Sequence, residues 1–291
     1  MVRALWTTST CLDRCLGHNG AVGSTFTKNY AKGQPGSPKL EAAGLAWLAQ
    51  AEQQGGVQVA RVVKVTNTSL TLERLVNTQP ALGAAEAFGR ALAHTHAAGA
   101  PHFGAPPPTW STTGAIGLAP LSYLVQPPSD PSWGSFYFQQ RLWPYVSWAE
   151  QAGALPVGAA KLFDRLGERL VEGLFDAPGP ALAPGVARLH GDLWAGNLLF
   201  SPPKQNGRWT GATVIDPAAQ GGHGESDLAM LALFGAPGLE TILAAYHEAS
   251  ALADGWRERV GLHQLHPLLV HACLFGGSYG RQALAITQGY L

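Results

Sequence analysis

The chain has 291 residues, of which 46% are hydrophobic, and its 19 Lys and Arg are balanced by 19 Asp and Glu. That length suits about two domains of ordinary size and a core that needs no disulfide or metal staple. The zero net charge leaves no global field to hold nucleic acid or an anionic membrane surface.

Three cysteines, Cys11, Cys15 and Cys273, are too few for a disulfide framework and point to a reducing compartment. Cys11 and Cys15 also lack the Cys-x-x-Cys spacing of redox or zinc sites. No signal-peptide-like apolar run opens the sequence, and its most apolar uncharged stretch, Leu228 to Leu239, falls well short of the ~20 residues of a membrane span. The expectation is a soluble, cytoplasmic protein acting on a small or protein-borne neutral partner.

Along the chain, Gly17, Gly20 and Gly23 punctuate a polar segment that could turn over phosphates through its amides. It matches no phosphate-loop template, and an ordinary turn is the simpler reading. Phe26-Thr27-Lys28 reads as the end of a strand. After a Gly/Pro-rich break from Gly33 to Pro38, Leu40, Ala43, Gly44, Trp47, Leu48 and Ala51 form the apolar face of a helix. Glu41 lies in its first turn, where the helix dipole favours a carboxylate.

Val57 to Val65 and Ser69 to Leu75 read as two strands. A boundary near Asn77 to Pro80 separates residues 1–77 from 78–291. Leu82 to His96 follows as a helix, with His94 and His96 on different faces, so they make no metal pair. Residues 99–135 are rich in Pro, Gly, Ser and Thr, and Ala159 to Leu174 is an amphipathic scaffold helix.

Residues 189–197, Leu-His-Gly-Asp-Leu-Trp-Ala-Gly-Asn, carry the chemistry. Asp192 and Asn197 have the separation that a kinase catalytic loop uses to hold a substrate-orienting carboxylate and a magnesium ligand on one turn. Leu198-Leu199-Phe200 and a strand ending Thr213-Val214-Ile215-Asp216 flank a turn containing Asn206-Gly207, a strong hairpin signal. Asn197 enters that hairpin and Asp216 leaves it, so the two share one end. An amide oxygen and a carboxylate beside Asp192 make a hard oxygen site suited to Mg2+ carrying nucleotide phosphates.

The octapeptide from His190 to Asn197 resembles the signature of the fructosamine kinase (ketosamine-3-kinase) family, relatives of the aminoglycoside phosphotransferases. The likeness extends through Phe26 to Lys28, through Asp216 to Met230 and through His266 to Tyr279, and fails mainly before Phe26. It implies an α+β, protein-kinase-like bilobal fold, with residues 1–77 as a small β-rich nucleotide-binding N-lobe and 78–291 as a mainly helical C-lobe. It implies ATP and Mg2+ as cofactors and Asp192 as catalytic carboxylate, with Asn197 and Asp216 as metal ligands.

Lys28 and Glu41 would be the phosphate-holding strand-helix pair, with Lys32 the runner-up lysine. Glu73, Arg74 and Leu75 would form the adenine hinge. Trp194, which protein kinases do not require, would face the substrate with His190 and His223, although His190 is more simply a brace for the loop. Gly224 stands where the family commonly has a basic residue, a departure that bears on substrate contacts. The implied reaction is phosphorylation of a ribulosamine, erythrulosamine or fructosamine, free or protein-bound, in deglycation repair. A kinase of another small alcohol, such as an aminoglycoside or amino alcohol, and a non-catalytic pseudokinase stay open as alternatives.

Overall fold

The computed structural model describes residues 24–201 and 211–291. The expected glycine-punctuated turn, Cys11, Cys15 and Asn206-Gly207 lie outside the described residues. Strand β1 (Thr25–Asn29) is followed by helix α1 (Pro38–Ala49), whose start is encoded locally. The Ser37 Oγ accepts from the Leu40 amide at 3.1 Å, and Pro38 sits in the first turn. Such a cap contributes about 1 kcal/mol.

β1 pairs antiparallel with β4 (Ser69–Glu73), and β4 with β3 (Val62–Val65), giving the sheet order β1-β4-β3. Lys28 stands opposite Leu70 in this register. Leu70 and Leu72 point inward from β4 and join Leu45 and Leu48 of α1 in the first core.

The run from Val57 to Val65, expected as one strand, is two. β2 (Gln58–Val59) leaves the first sheet and pairs in parallel with β9 (Ala212–Val214), and β9 pairs antiparallel with β8 (Leu198–Phe200). The break has a packing cause: Val57, Val59 and Ala60 face the first core, while Val62, Val63 and Val65 are exposed on the other sheet's edge. Apolar composition alone does not show which sheet a strand joins.

Helix α2 (Ala84–Ala97) begins two residues later than expected and packs along α7 (Leu239–Ala249). Gly89 permits the approach, because a Cβ there would collide with the Ile242 carbonyl. Within residues 99–135, β5 (Gly114–Ile116) and β6 (Ala119–Leu121) form a hairpin. Then α3 (Trp133–Phe136), a wide π-type turn and α4 (Trp143–Gln151) run on continuously. Helix α5 (Ala160–Val171) buries Phe163, Leu166 and Leu170, whereas Val171 and Leu174, whose spacing puts them on the same apolar side, are exposed. β7 (Ala187–Leu189) pairs with β10 (Gln220–Gly222), and α6 (Glu225–Leu233), α8 (Trp256–Phe275) and α9 (Tyr279–Gly289) complete the helical part.

Two main hydrophobic clusters hold these elements. The first joins Leu45 and Leu70 to Phe88, Leu198 and Tyr246, and so contains residues from both sides of position 77. The second gathers Trp133, Phe136, Tyr137 and Phe163 around Leu265 and Leu269 of α8. Among the described residues no helix is long and apolar enough to cross a membrane.

Candidate active site

The β8–β9 pair brings the hairpin's open end together as the spacing requires. Leu198 opposes Val214, and the Ile215 amide donates to the Asn197 carbonyl at 3.1 Å. Asn197 and Asp216 therefore emerge side by side. Asn197 Nδ2 donates both to the Asp192 backbone carbonyl (2.8 Å) and to Asp192 Oδ2 (3.1 Å), which fixes the amide's orientation. With its nitrogen so engaged, the amide oxygen is the atom left to meet a ligand.

Asp216 is the only described non-glycine residue with a positive φ, 53°. Aspartate tolerates that region better than most residues, and the turn aims its carboxylate at β1. There Lys28 Nζ donates to Asp216 Oδ1 at 2.9 Å and to Glu41 Oε2 at 2.8 Å. Lys32 lies in an exposed turn. Tyr30, unnoticed in the sequence, also donates its hydroxyl to Glu41 Oε2.

One ammonium thus serves two carboxylates, and the charges cannot all be satisfied. Burial first, then the Asp216 carboxylate, raises Glu41 to about 8, while Lys28 pulls the other way. Glu41 Oε1 is buried without a hydrogen-bond partner among the described residues, which adds to the cost of its charge. Asp216 is held below the usual carboxylate range: burial alone would raise it, but the charge of Lys28 and the hydrogen bonds with Glu41 and Lys28 together outweigh that. Asp192 rises to about 8, mainly through burial and then through repulsion from Asp216, although the Asn197 bond stabilises its charged form.

The loop beneath Asp192 is braced from behind. Asp227, in the first turn of α6, accepts from the His190 amide (2.7 Å) and the Gly191 amide (2.9 Å). His96 Nε2 lies 3.2 Å from the same carboxylate, and its Nδ1 lies 2.7 Å from the Tyr246 hydroxyl. Asp227 lies inside α6, after Gly224 at the cap, and its side chain anchors the catalytic loop. His96 and Tyr246 carried no sequence signal for this role, since nothing local links residues 96, 227 and 246.

His190 is buried, with Nε2 donating to the Ile215 carbonyl (2.9 Å) and Nδ1 accepting from the Asp192 amide (3.3 Å). Both nitrogens are used on backbone, the bracing role rather than a substrate contact. His223 is buried too, between Trp133 and His263, and its nitrogens meet the Ala177 carbonyl and the Glu225 amide, both at 3.3 Å. It lines a cavity together with Gly191 of the catalytic loop.

Trp194 is half-buried. Its ring lies over Gly196, where a Cβ would collide with it, and meets Phe234 edge-on at 6.1 Å. Of the expected hinge residues, Glu73 and Arg74 donate their amides to the Arg61 and Ser24 carbonyls, at 2.9 and 3.0 Å. Leu75 follows them, partly buried against the first core.

Residues 7–291 match the family model for fructosamine kinase. A probable ketoamine kinase of Enterococcus faecium is 30% identical over 249 residues, 83% of this chain and 82% of that one. The chloroplastic protein-ribulosamine 3-kinase of indica rice is 26% identical over 97% of this chain and 76% of its own. Among solved structures, a provisionally assigned fructosamine-3-kinase from Thermobifida fusca is 39% identical, covering 91% of this chain and 85% of its own with a TM-score of 0.76. An ADP-bound aminoglycoside phosphotransferase shares the fold at 12% identity and a TM-score of 0.51, covering 95% of each chain. A match that takes in the catalytic loop, the strand with Lys28 and the C-terminal helices alike leaves one assignment: the chain belongs to the fructosamine kinase family.

Proposed function

We propose that this chain is an ATP-dependent kinase of ketosamines. It transfers the γ-phosphoryl group to the 3-hydroxyl of a ribulosamine, erythrulosamine or fructosamine, free or on protein lysines, and so serves deglycation repair. The observation that carries the reading is the convergence of Lys28 and Glu41 on Asp216 beside the Asp192–Asn197 loop. Family membership and the names of its relatives support the choice of acceptor.

In this reading Lys28, oriented by Glu41, holds nucleotide phosphates, and the main chain from Glu73 to Leu75 meets the adenine. The Asn197 amide oxygen and the Asp216 carboxylate form a hard oxygen set that fits Mg2+. When bound, the ion supplies charge neutralisation on the phosphates. Asp192 orients the acceptor hydroxyl and takes its proton as that oxygen bonds to the γ-phosphorus and ADP departs. The ring of Trp194 offers an apolar face to the sugar.

The test is Mg-ATP consumption with ribulose-lysine and fructose-lysine by wild type and Asp192→Asn. Turnover of at least one ketosamine, lost in the variant, is expected. No turnover of either while ATP still binds would overturn the acceptor, and no ATP binding would overturn the kinase reading itself.

A further inference from the structure

Behind the catalytic loop, three side chains that the kinase chemistry does not use converge on one point. One nitrogen each of His223 and His263 and one carboxylate oxygen of Glu225 all lie within 4.8 Å of one another, and all three residues are buried. His263 Nε2 is buried with no hydrogen-bond partner among the described residues. It stands 3.4 Å from Glu225 Oε2, close to the ~3.3 Å edge between two ligands of a tetrahedral ion with bonds of ~2.0–2.1 Å.

We propose that His223, Glu225 and His263 form a binding site for a divalent transition metal of the zinc class. The outer atoms of the cluster are arranged as such a site requires. A metal-bound imidazole usually engages its other nitrogen with a carbonyl or another oxygen, which fixes the tautomer and aims the lone pair inward. His223 Nε2 donates to the Ala177 carbonyl at 3.3 Å, and His263 Nδ1 lies 2.9 Å from Ser226 Oγ. The remaining nitrogens, His223 Nδ1 and His263 Nε2, are the ones left to face Glu225. His223 Nδ1 accepts a long 3.3 Å contact from the Glu225 amide, which an ion would displace.

A cavity of about 40 Å³ adjoins the cluster, lined by His223, Ser226 and His263. It has room for a water as fourth ligand. The buried His266, whose Nε2 has no hydrogen-bond partner among the described residues, lines the same cavity. Two imidazoles and one carboxylate favour zinc and its neighbours over magnesium, which prefers oxygen.

Arg259 grips Glu225 with two hydrogen bonds, 2.6 and 3.0 Å. Each carboxylate oxygen has a second lone pair, so the guanidinium stays as an outer partner of the ligand while its charge weakens the site. The Arg259–Glu225 pair is neutral by itself and needs no ion, but it leaves His263 Nε2 unpaired. Burial and then the neighbouring His263 hold His223 down at about 4. Glu225, which burial would raise, is kept at about 2 by the imidazole of His263 at 3.4 Å and by its two bonds from Arg259. The ion would tie the start of α6 to α8, two residues from the Asp227 anchor.

Tag-free protein is stripped with a chelator and then titrated with Zn2+ in the absence of nucleotide and Mg2+. One equivalent should bind, with Tm rising by about 5 °C or more at ~100-fold excess over Kd. Both effects should vanish in His223→Gln and in His263→Gln and persist in Asp192→Asn. Failure to take up one equivalent, or uptake unchanged by either histidine substitution, would overturn the site. If those variants do not fold, the Co2+ spectrum of the wild type decides. Intense visible bands of a four- or five-coordinate centre, without near-ultraviolet thiolate bands, are expected, and the weak bands of an octahedral ion would overturn it.

Discussion

Lys28 Nζ donates to Asp216 Oδ1 at 2.9 Å across 188 residues of chain, and the same nitrogen holds Glu41. The candidate site is closed by this bridge between the first sheet and the hairpin's end. Replacing Lys28 by Ala should lower kcat/KM for ATP by ~10²–10³-fold, as for loss of a positioned charged donor. Glu41→Gln should cost less, because Tyr30 and Lys28 can still bond to the amide oxygen. Steady-state kinetics with varied ATP will rank the two.

Asp192 titrates near 8 because it is buried and faces Asp216, so the free enzyme holds it protonated through neutral pH. As a base it must lose that proton. kcat/KM for ATP should therefore rise about tenfold per pH unit below pH ~8 and level off above it. The stability effect has a definite sign. A carboxyl whose folded pKa is raised binds more protons in the native state, so its contribution is full below its ordinary 3.8 and is lost as pH rises through about 8. Nucleotide-free Asp192→Asn should gain Tm relative to wild type at pH 9 but not at pH 4, as read by thermal melts.

The carboxylate of Asp227 satisfies two loop amides and faces His96 from a position 1% exposed. Asp227→Ala leaves those donors buried and unpaired. It should destabilise the protein by about 3 kcal/mol or more, measured by urea denaturation, and reduce kcat through a loosened Asp192.

Gly191 has φ of +81°, and a Cβ there would strike the Ala218 carbonyl. Strain and collision act together, so Gly191→Ala should lower kcat by an order of magnitude or more and cost roughly 1–3 kcal/mol of stability. Comparing kcat with the urea midpoint will separate the displaced loop from unfolding.

Trp194 leans on Phe234 outside the loop. If it meets the sugar, Trp194→Ala should raise KM for the ketosamine severalfold while leaving KM for ATP within about twofold. Equal changes in both would assign the ring to loop structure instead.

Much of this was legible in short-range patterns. The spacing from Asp192 to Asn197, the two apolar runs ending at Phe200 and Asp216, the Ser37-Pro38 start of α1 and the stripe of α5 are local signals. Each acts within one or two turns of chain, where propensity, capping and periodicity operate. The family likeness could also be read from contiguous residues.

What only the tertiary structure decided is how distant groups share charge and backbone. No local pattern divides Val57 to Val65 between two sheets, because both halves are equally apolar and the choice depends on β9, over 140 residues away. The same holds for Tyr30 on Glu41, for His96 and Tyr246 behind Asp227, and for the packing of His223 between Trp133 and His263. The sequence alone determined which chemical groups the loop carries and how they are spaced. Their protonation, orientation and partners depend on burial and on charges brought in from other elements, and those exist only once the chain is folded.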